Sequence, residues 1–191
     1  NRLLHKSISN AEEKKALEPN STTSQAKQLK MAFDNDGWWG TDEALVRKTL
    51  RSLPDKKTYK EVAASYKRLY NSSLTKDMQN ELTSTEYDEM LNIIAAKPEE
   101  YKKGQAVTYN YLAWAKRLRA AMDVYYWMCP GTDEDAIKAV YLEIPTQTAF
   151  LKVKSAYKAE YGDDLASDLA GDIDVFALLE LQQLISKKPK G

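Results

Sequence analysis

Two stretches of the sequence carry the same four residues in the same order, Gly40-Thr41-Asp42-Glu43 and Gly131-Thr132-Asp133-Glu134. A further acid follows each glycine at an offset of 41 residues, Glu81 in the first case and Asp172 in the second. A glycine turn paired with a distant carboxylate can do cation chemistry. Backbone carbonyls from the turn and a bidentate carboxylate are hard oxygen donors. Calcium takes 6–8 such donors in a flexible arrangement, and water or a ligand oxygen fills the remaining positions. A purely structural role asks for less. The glycine ends one helix in the left-handed conformation, the threonine caps the next, and the acids favour its positive end. Trp38 and Trp39 stand immediately before the first of these turns. Their rings either pack back onto the protein or, for Trp39, project from it.

Other chemistry finds little support. The only histidine is His5, and Cys129, the only cysteine, has no histidine near it in sequence. That argues against a Cys-His nucleophile. No phosphate-binding glycine loop, HExxH motif or zinc-ligand spacing occurs. Asp163, Asp164, Asp168, Asp172 and Asp174 cluster in sequence and read as solvated helix ends, with acid–base hydrolysis as the remote alternative. The sequence is therefore read as a non-enzyme.

The elements that must position these residues repeat. A shift of 91 residues lays the two GTDE stretches on each other without a gap. It also pairs Met31 with Met122, Pro54 with Pro145, Val62 with Val153, Tyr66 with Tyr157, Tyr70 with Tyr161, Asp77 with Asp168 and Lys97 with Lys188. A match sustained over core and punctuation positions indicates a duplicated unit. Apolar residues recur at helical spacing and no sustained alternation marks a strand. Five helices per unit are expected, at 22–36, 41–52, 55–70, 73–82 and 85–96, then 106–127, 132–142, 146–161, 163–170 and 173–186. Pro54 and Pro145 separate helices, and Asn71 and Gly162 fall where a helix end needs a left-handed residue. Ser84 and Asp174 can start the last helices. The basic run 115–122 is taken as one face of a long helix, and the tail "SKKPKG" as frayed. The organisation is an N-terminal segment 1–20, a first repeat 21–96, a linker 97–104, a second repeat 105–187 and a tail 188–191.

Composition agrees. Hydrophobic residues are 43% and charged residues 29% of the 191, enough for a sizeable core, and 28 basic residues balance 28 acidic ones. With no basic surplus, nucleic acid is not the expected partner. No run approaches the ~20 apolar residues of a membrane-spanning helix, and residues 1–18 lack the apolar core of a signal peptide.

The units resemble annexin repeats. The likeness rests on "GWWGTDE" and "CPGTDE", on Tyr70-Asn71 and Tyr161-Gly162, and on "LTKDMQNELTS" and "LASDLAGDIDV" around the acids. Trp38 and Cys129 stand where that family's turn usually has glycine, and two repeats are seen where the family usually has four. The resemblance implies an all-α fold of two five-helix annexin-like repeats packed as a compact bundle. It implies calcium held by carbonyls near Asp36, Trp38 and Gly40 with Glu81, and by Met128, Cys129 and Gly131 with Asp172. The metal would bridge to phosphate oxygens of an anionic phospholipid membrane, with Trp38 and Trp39 as membrane contacts and a cytoplasmic location, peripheral at the membrane. The rival expectation is a metal-free assembly module that binds a protein partner, as in a domain of a larger bacterial or phage-like assembly.

Overall fold

A computed structural model describes residues 21–35, 40–105, 107–126 and 129–191, with the backbone alone at 125, 126, 129 and 130. The N-terminal segment 1–20 therefore lies outside the described residues, as do Asp36, Trp38, Trp39 and Met128. The chain divides into two units, residues 1–108 and 109–191.

Unit 1 contains α1 (Thr22–Phe33), α2 (Glu43–Ser52), α3 (Lys56–Tyr70), α4 (Leu74–Glu81) and α5 (Ser84–Ala96). Its core forms where these helices turn their apolar faces inward. Leu29 and Phe33 of α1, Val46 and Leu50 of α2, Val62 and Tyr66 of α3, Met78 of α4 and Met90 and Ile93 of α5 are all buried. Each large apolar side chain removed from water contributes about 1.5–3 kcal/mol, so the cluster outweighs any single polar contact in the unit. The helix boundaries follow local chemistry. Asp55 accepts the Thr58 amide at 2.7 Å to open α3. Asn71 ends it with φ +53°, a conformation asparagine tolerates better than most residues. Thr83 and Glu86 form a reciprocal capping box at the start of α5.

Unit 2 contains α6 (Tyr111–Met122), β1 (Val124–Tyr126), β2 (Cys129–Gly131), α7 (Glu134–Glu143), α8 (Gln147–Tyr161), α9 (Leu165–Asp172) and α10 (Val175–Ser186). Here Gly162 ends α8 with φ +80°. Helices α2 to α5 recur as α7 to α10 at the 91-residue shift, to within one residue. The regular elements of the described residues are thus all helices, apart from one short hairpin, and form a duplicated five-helix architecture.

Three sequence expectations need correction. The helix expected over 106–127 is shorter. Asn110 accepts the Ala113 amide at 3.3 Å to open α6, which stops at Met122. The chain then turns into the antiparallel pair β1–β2, with Val124 opposite Gly131 and Tyr126 opposite Cys129. The repeat also needs a gap. Buried Ala26, Leu29, Ala32 and Phe33 of α1 correspond to buried Ala115, Leu118, Ala121 and Met122 of α6, a shift of 89 rather than 91. The 91-residue shift would place Met31, which is 67% exposed, on Met122, which is 6% exposed. The two extra residues fall between Met122 and Gly131. The run 115–122 does lie on α6, and its Arg117 is buried against Glu143 of α7. Finally, the tail is held rather than frayed. Gln147 and Thr148 donate their amides to the Pro189 and Lys190 carbonyls at 2.9 and 3.0 Å. Lys56 and Lys57 do the same to Pro98 and Glu99 in unit 1, at 2.9 and 3.1 Å.

Candidate functional site

In unit 1 the turn between α1 and α2 is closed from both sides. The Asp42 amide donates to the Ala32 carbonyl at 2.9 Å, tying the start of α2 to the end of α1. Gly40 has φ +75°, which an L side chain adopts only with strain. The N-cap of α2 is Asp42, whose carboxylate accepts the Leu45 amide at 2.9 Å. This corrects the expectation that the threonine caps. Thr41 is instead directed at the other end of the site: its hydroxyl donates to the Glu81 carbonyl at 3.3 Å. Residues 40 apart in sequence are thereby joined, and the glycine turn sits beside the break between α4 and α5. Buried Leu82 anchors that break from below.

Glu81 is exposed, and its carboxylate has no ion pair or hydrogen bond among the described residues. It is a hard, anionic pair of oxygens next to a carbonyl-bearing turn. No three His, Cys, Asp or Glu side chains converge among the described residues. A cation here would therefore be held by the Glu81 carboxylate, backbone carbonyls at Gly40 and its neighbours, and water. That donor set fits calcium, which accepts mixed oxygen ligands, and does not fit a metal that requires nitrogen or sulfur. With one carboxylate it belongs among weak sites, with Kd on the order of 10⁻⁴–10⁻³ M.

In unit 2 the Asp133 amide donates to the Ala121 carbonyl at 2.8 Å, and the Asp133 side chain accepts the Ala136 amide at 2.9 Å to cap α7. Asp172 is the exposed last residue of α9. The start of α7 and the α9–α10 break again lie together. Glu134, Asp135 and Lys138 face Ile173, Ala177 and Glu180 across a small cleft of about 100 Å³. The turn itself differs, because Gly131 is a strand residue paired with Val124, whereas Gly40 lies outside any strand with φ +75°. Cys129 is in the same strand. The structure thus brings Gly40 to Glu81, and places Cys129 and Gly131 in a hairpin. Asp36, Trp38, Trp39 and Met128 cannot be placed.

Three acids of the 163–174 cluster have structural tasks. Asp164 and Asp174 cap α9 and α10, and Asp168 accepts the Tyr157 hydroxyl at 2.6 Å. Unit 1 repeats this contact between Tyr66 and Asp77 at 2.7 Å. A cation at the end of the first helix completes each network. Lys30 pairs with Asp34 and lies 6.0 Å from the Tyr70 ring. Arg119 pairs with Asp123 at 2.7 Å and lies 5.5 Å from the Tyr161 ring. Hydrogen bonds to Tyr157 and then Asp123 hold Arg119 above its already high range. These networks brace the helix that leads into each candidate turn. The sequence reading missed them, although the pairs Lys30/Asp34 and Arg119/Asp123 signal them at the 89-residue shift.

No family model matches this chain, and no curated protein matches it. Among solved structures it is similar to annexins and giardins. Chicken annexin V is 21% identical, with 88% of this chain and 46% of that one covered and a TM-score of 0.37. A mutant of annexin A8 is also 21% identical, with 88% and 46% covered and a TM-score of 0.38. Calcium-bound alpha-14 giardin is 17% identical, with 86% and 52% covered and a TM-score of 0.39. The chain spans about half the length of these solved structures.

Proposed function

We propose that this protein binds anionic phospholipid surfaces peripherally, through a calcium ion held at the α1–α2 turn of unit 1. One observation carries the reading: the Thr41–Glu81 hydrogen bond, 3.3 Å long, which joins a left-handed glycine turn to the backbone carbonyl of Glu81, whose exposed carboxylate has no partner among the described residues. Gly40 and Glu81 are the described residues that would hold the ion, and Asp36 and Trp38 are proposed to add carbonyls. The bound cation would supply the positive charge that attracts lipid phosphate. The chain needs such a bridge, because its formal net charge is zero and gives no general attraction to an acidic bilayer. No helix among the described residues is long and apolar enough to cross a membrane, so contact through surface turns is the mode proposed.

A second reading, a metal-free module that docks a protein partner, is favoured by α10. Val175, Phe176 and Leu179 are 62%, 78% and 48% exposed, whereas the same positions of α5 are Ser84, Thr85 and Asp88. Calorimetric calcium titration and vesicle co-sedimentation separate the two. Glu81→Gln removes one charge and is expected to weaken calcium binding at least tenfold and to abolish calcium-dependent sedimentation with acidic vesicles, with an unchanged circular dichroism spectrum. Absence of calcium binding by the unmodified protein at millimolar metal leaves the assembly reading in its place.

A further inference from the structure

The two GTDE turns share a sequence and differ in backbone. In unit 2, Tyr125 lies opposite Pro130. Proline has no N–H, so this is a non-hydrogen-bonded pair, and in an antiparallel ladder the pairs on either side exchange N–H···O=C bonds. Those pairs are Val124–Gly131 and Tyr126–Cys129. The Gly131 and Cys129 carbonyls therefore accept from Val124 and Tyr126, and are aimed across the hairpin at the neighbouring strand. In unit 1, Gly40 is left-handed, and Thr41 reaches the Glu81 carbonyl at 3.3 Å. Thr132 forms no counterpart of that bond among the described residues. The downstream acids, in contrast, end their helices at equivalent positions. The difference lies in the turns alone.

We propose that calcium binding in this chain is confined to unit 1, and that Thr41 is the positioning residue responsible. Its hydroxyl holds the Gly40 carbonyl in register with Glu81. In unit 2 the hairpin commits the corresponding carbonyls to the ladder, and Asp172 is left without a turn to complete. The inference rests on the cation reading above and adds a stoichiometry, one ion per chain, and an organising side chain that ligates nothing itself.

The test is calorimetric calcium titration of the full chain and four variants. The unmodified protein is expected to take up one ion, and Glu81→Gln to weaken that uptake at least tenfold. Thr41→Val removes the donor at nearly constant volume. A net hydrogen bond of this kind corresponds to about a five- to tenfold change in affinity, so Thr41→Val is expected to bind about that much more weakly, with an unchanged melting temperature. Thr41→Ser keeps the hydroxyl and is expected to stay within about threefold of the parent. Asp172→Asn is expected to leave both stoichiometry and affinity unchanged. Two ions per chain, or any loss of binding on Asp172→Asn, overturns the confinement to unit 1. Parental affinity in Thr41→Val, or a Thr41→Ser variant no better than Thr41→Val, overturns the positioning role. In both of those cases the cation reading stands. No binding by the unmodified protein removes that reading and this inference together.

Discussion

The buried ion pair of unit 2 offers a sharp test of how the duplicated fold is held together. The Arg117 side chain is 2% exposed and its partner Glu143 is 23% exposed. Arg117 donates to both Glu143 oxygens, at 2.9 Å to Oε1, and Trp114 Nε1 donates to Oε2 at 3.3 Å. Glu143→Ala leaves a guanidinium in the α6–α7 interface without its carboxylate. Breaking a buried pair from one side costs about 3–5 kcal/mol, a large share of the roughly 5–15 kcal/mol that stabilises a typical domain. With a urea dependence of about 2 kcal/mol/M, a 4 kcal/mol loss moves the unfolding midpoint by about 2 M. Unit 1 shows how the same junction works without charge. Its counterparts are Gln28 and Ser52, and Thr49 donates to Gln28 Oε1 at 3.3 Å. Thr49 corresponds to Val140, so transplanting that solution as Arg117→Gln with Glu143→Ser and Val140→Thr leaves no buried charge and supplies the donor, and the triple variant is expected to lose less than about 1.5 kcal/mol, as polar-for-polar replacement does. Urea unfolding followed by circular dichroism reads both. A Glu143→Ala loss below about 1 kcal/mol, or a triple variant no more stable than Glu143→Ala, refutes the argument that desolvated charge dominates this junction.

Tyr157 gives a pH-dependent prediction. Burial, then its hydrogen bond to Asp168, pushes its phenol up to about 12. The folded value lies above the unfolded one near 10, so its contribution is whole below about pH 10 and is lost as pH rises toward 12. Absorbance titration of phenolate is expected to show a late-ionising tyrosine that Tyr157→Phe removes, along with about 1 kcal/mol of stability at neutral pH. Trp39, proposed as the lipid contact beside Gly40, sets the third expectation. Trp39→Ala should weaken calcium-dependent vesicle binding about ten- to a hundredfold, the equivalent of about 1.5–3 kcal/mol of apolar burial, with calcium affinity in solution unchanged. Co-sedimentation and calorimetry on the same preparation check both parts.

What was legible in the sequence is what the backbone demands locally. Asn71 and Gly162 were readable as helix ends because a left-handed position restricts residue type, and both take that conformation. Helices α2 to α5 and α7 to α10 were readable because capping residues and prolines recur at one spacing. The first helix of each unit was misaligned for a physical reason. A slip of two residues turns a helix by about 200° and exchanges core for solvent, yet it leaves an identical residue, Met31 against Met122, in the aligned column. Burial alone shows that Leu29, and not Met31, is the inward residue of that helix.

The candidate site was legible only as far as its side chains. Gly40 and Glu81 could be paired because their offset recurs as Gly131 and Asp172. The contact that joins the first pair ends on the Glu81 carbonyl, a group that every residue carries, so no residue type at position 81 could announce it. The hairpin of unit 2 was equally hidden. Three-residue strands are too short to show alternation, and apolar residues resume at Val124-Tyr125-Tyr126 after the single charged residue Asp123, which a continuing helix also accommodates. The one local clue was Pro130. A residue without an amide hydrogen can occupy a ladder only where no donation is required, and that condition fixes which carbonyls of the turn the ladder uses. Pro130, which stands one residue before Gly-Thr-Asp-Glu where the first turn has Trp39, thus sets the hairpin register that separates the two turns in chemistry.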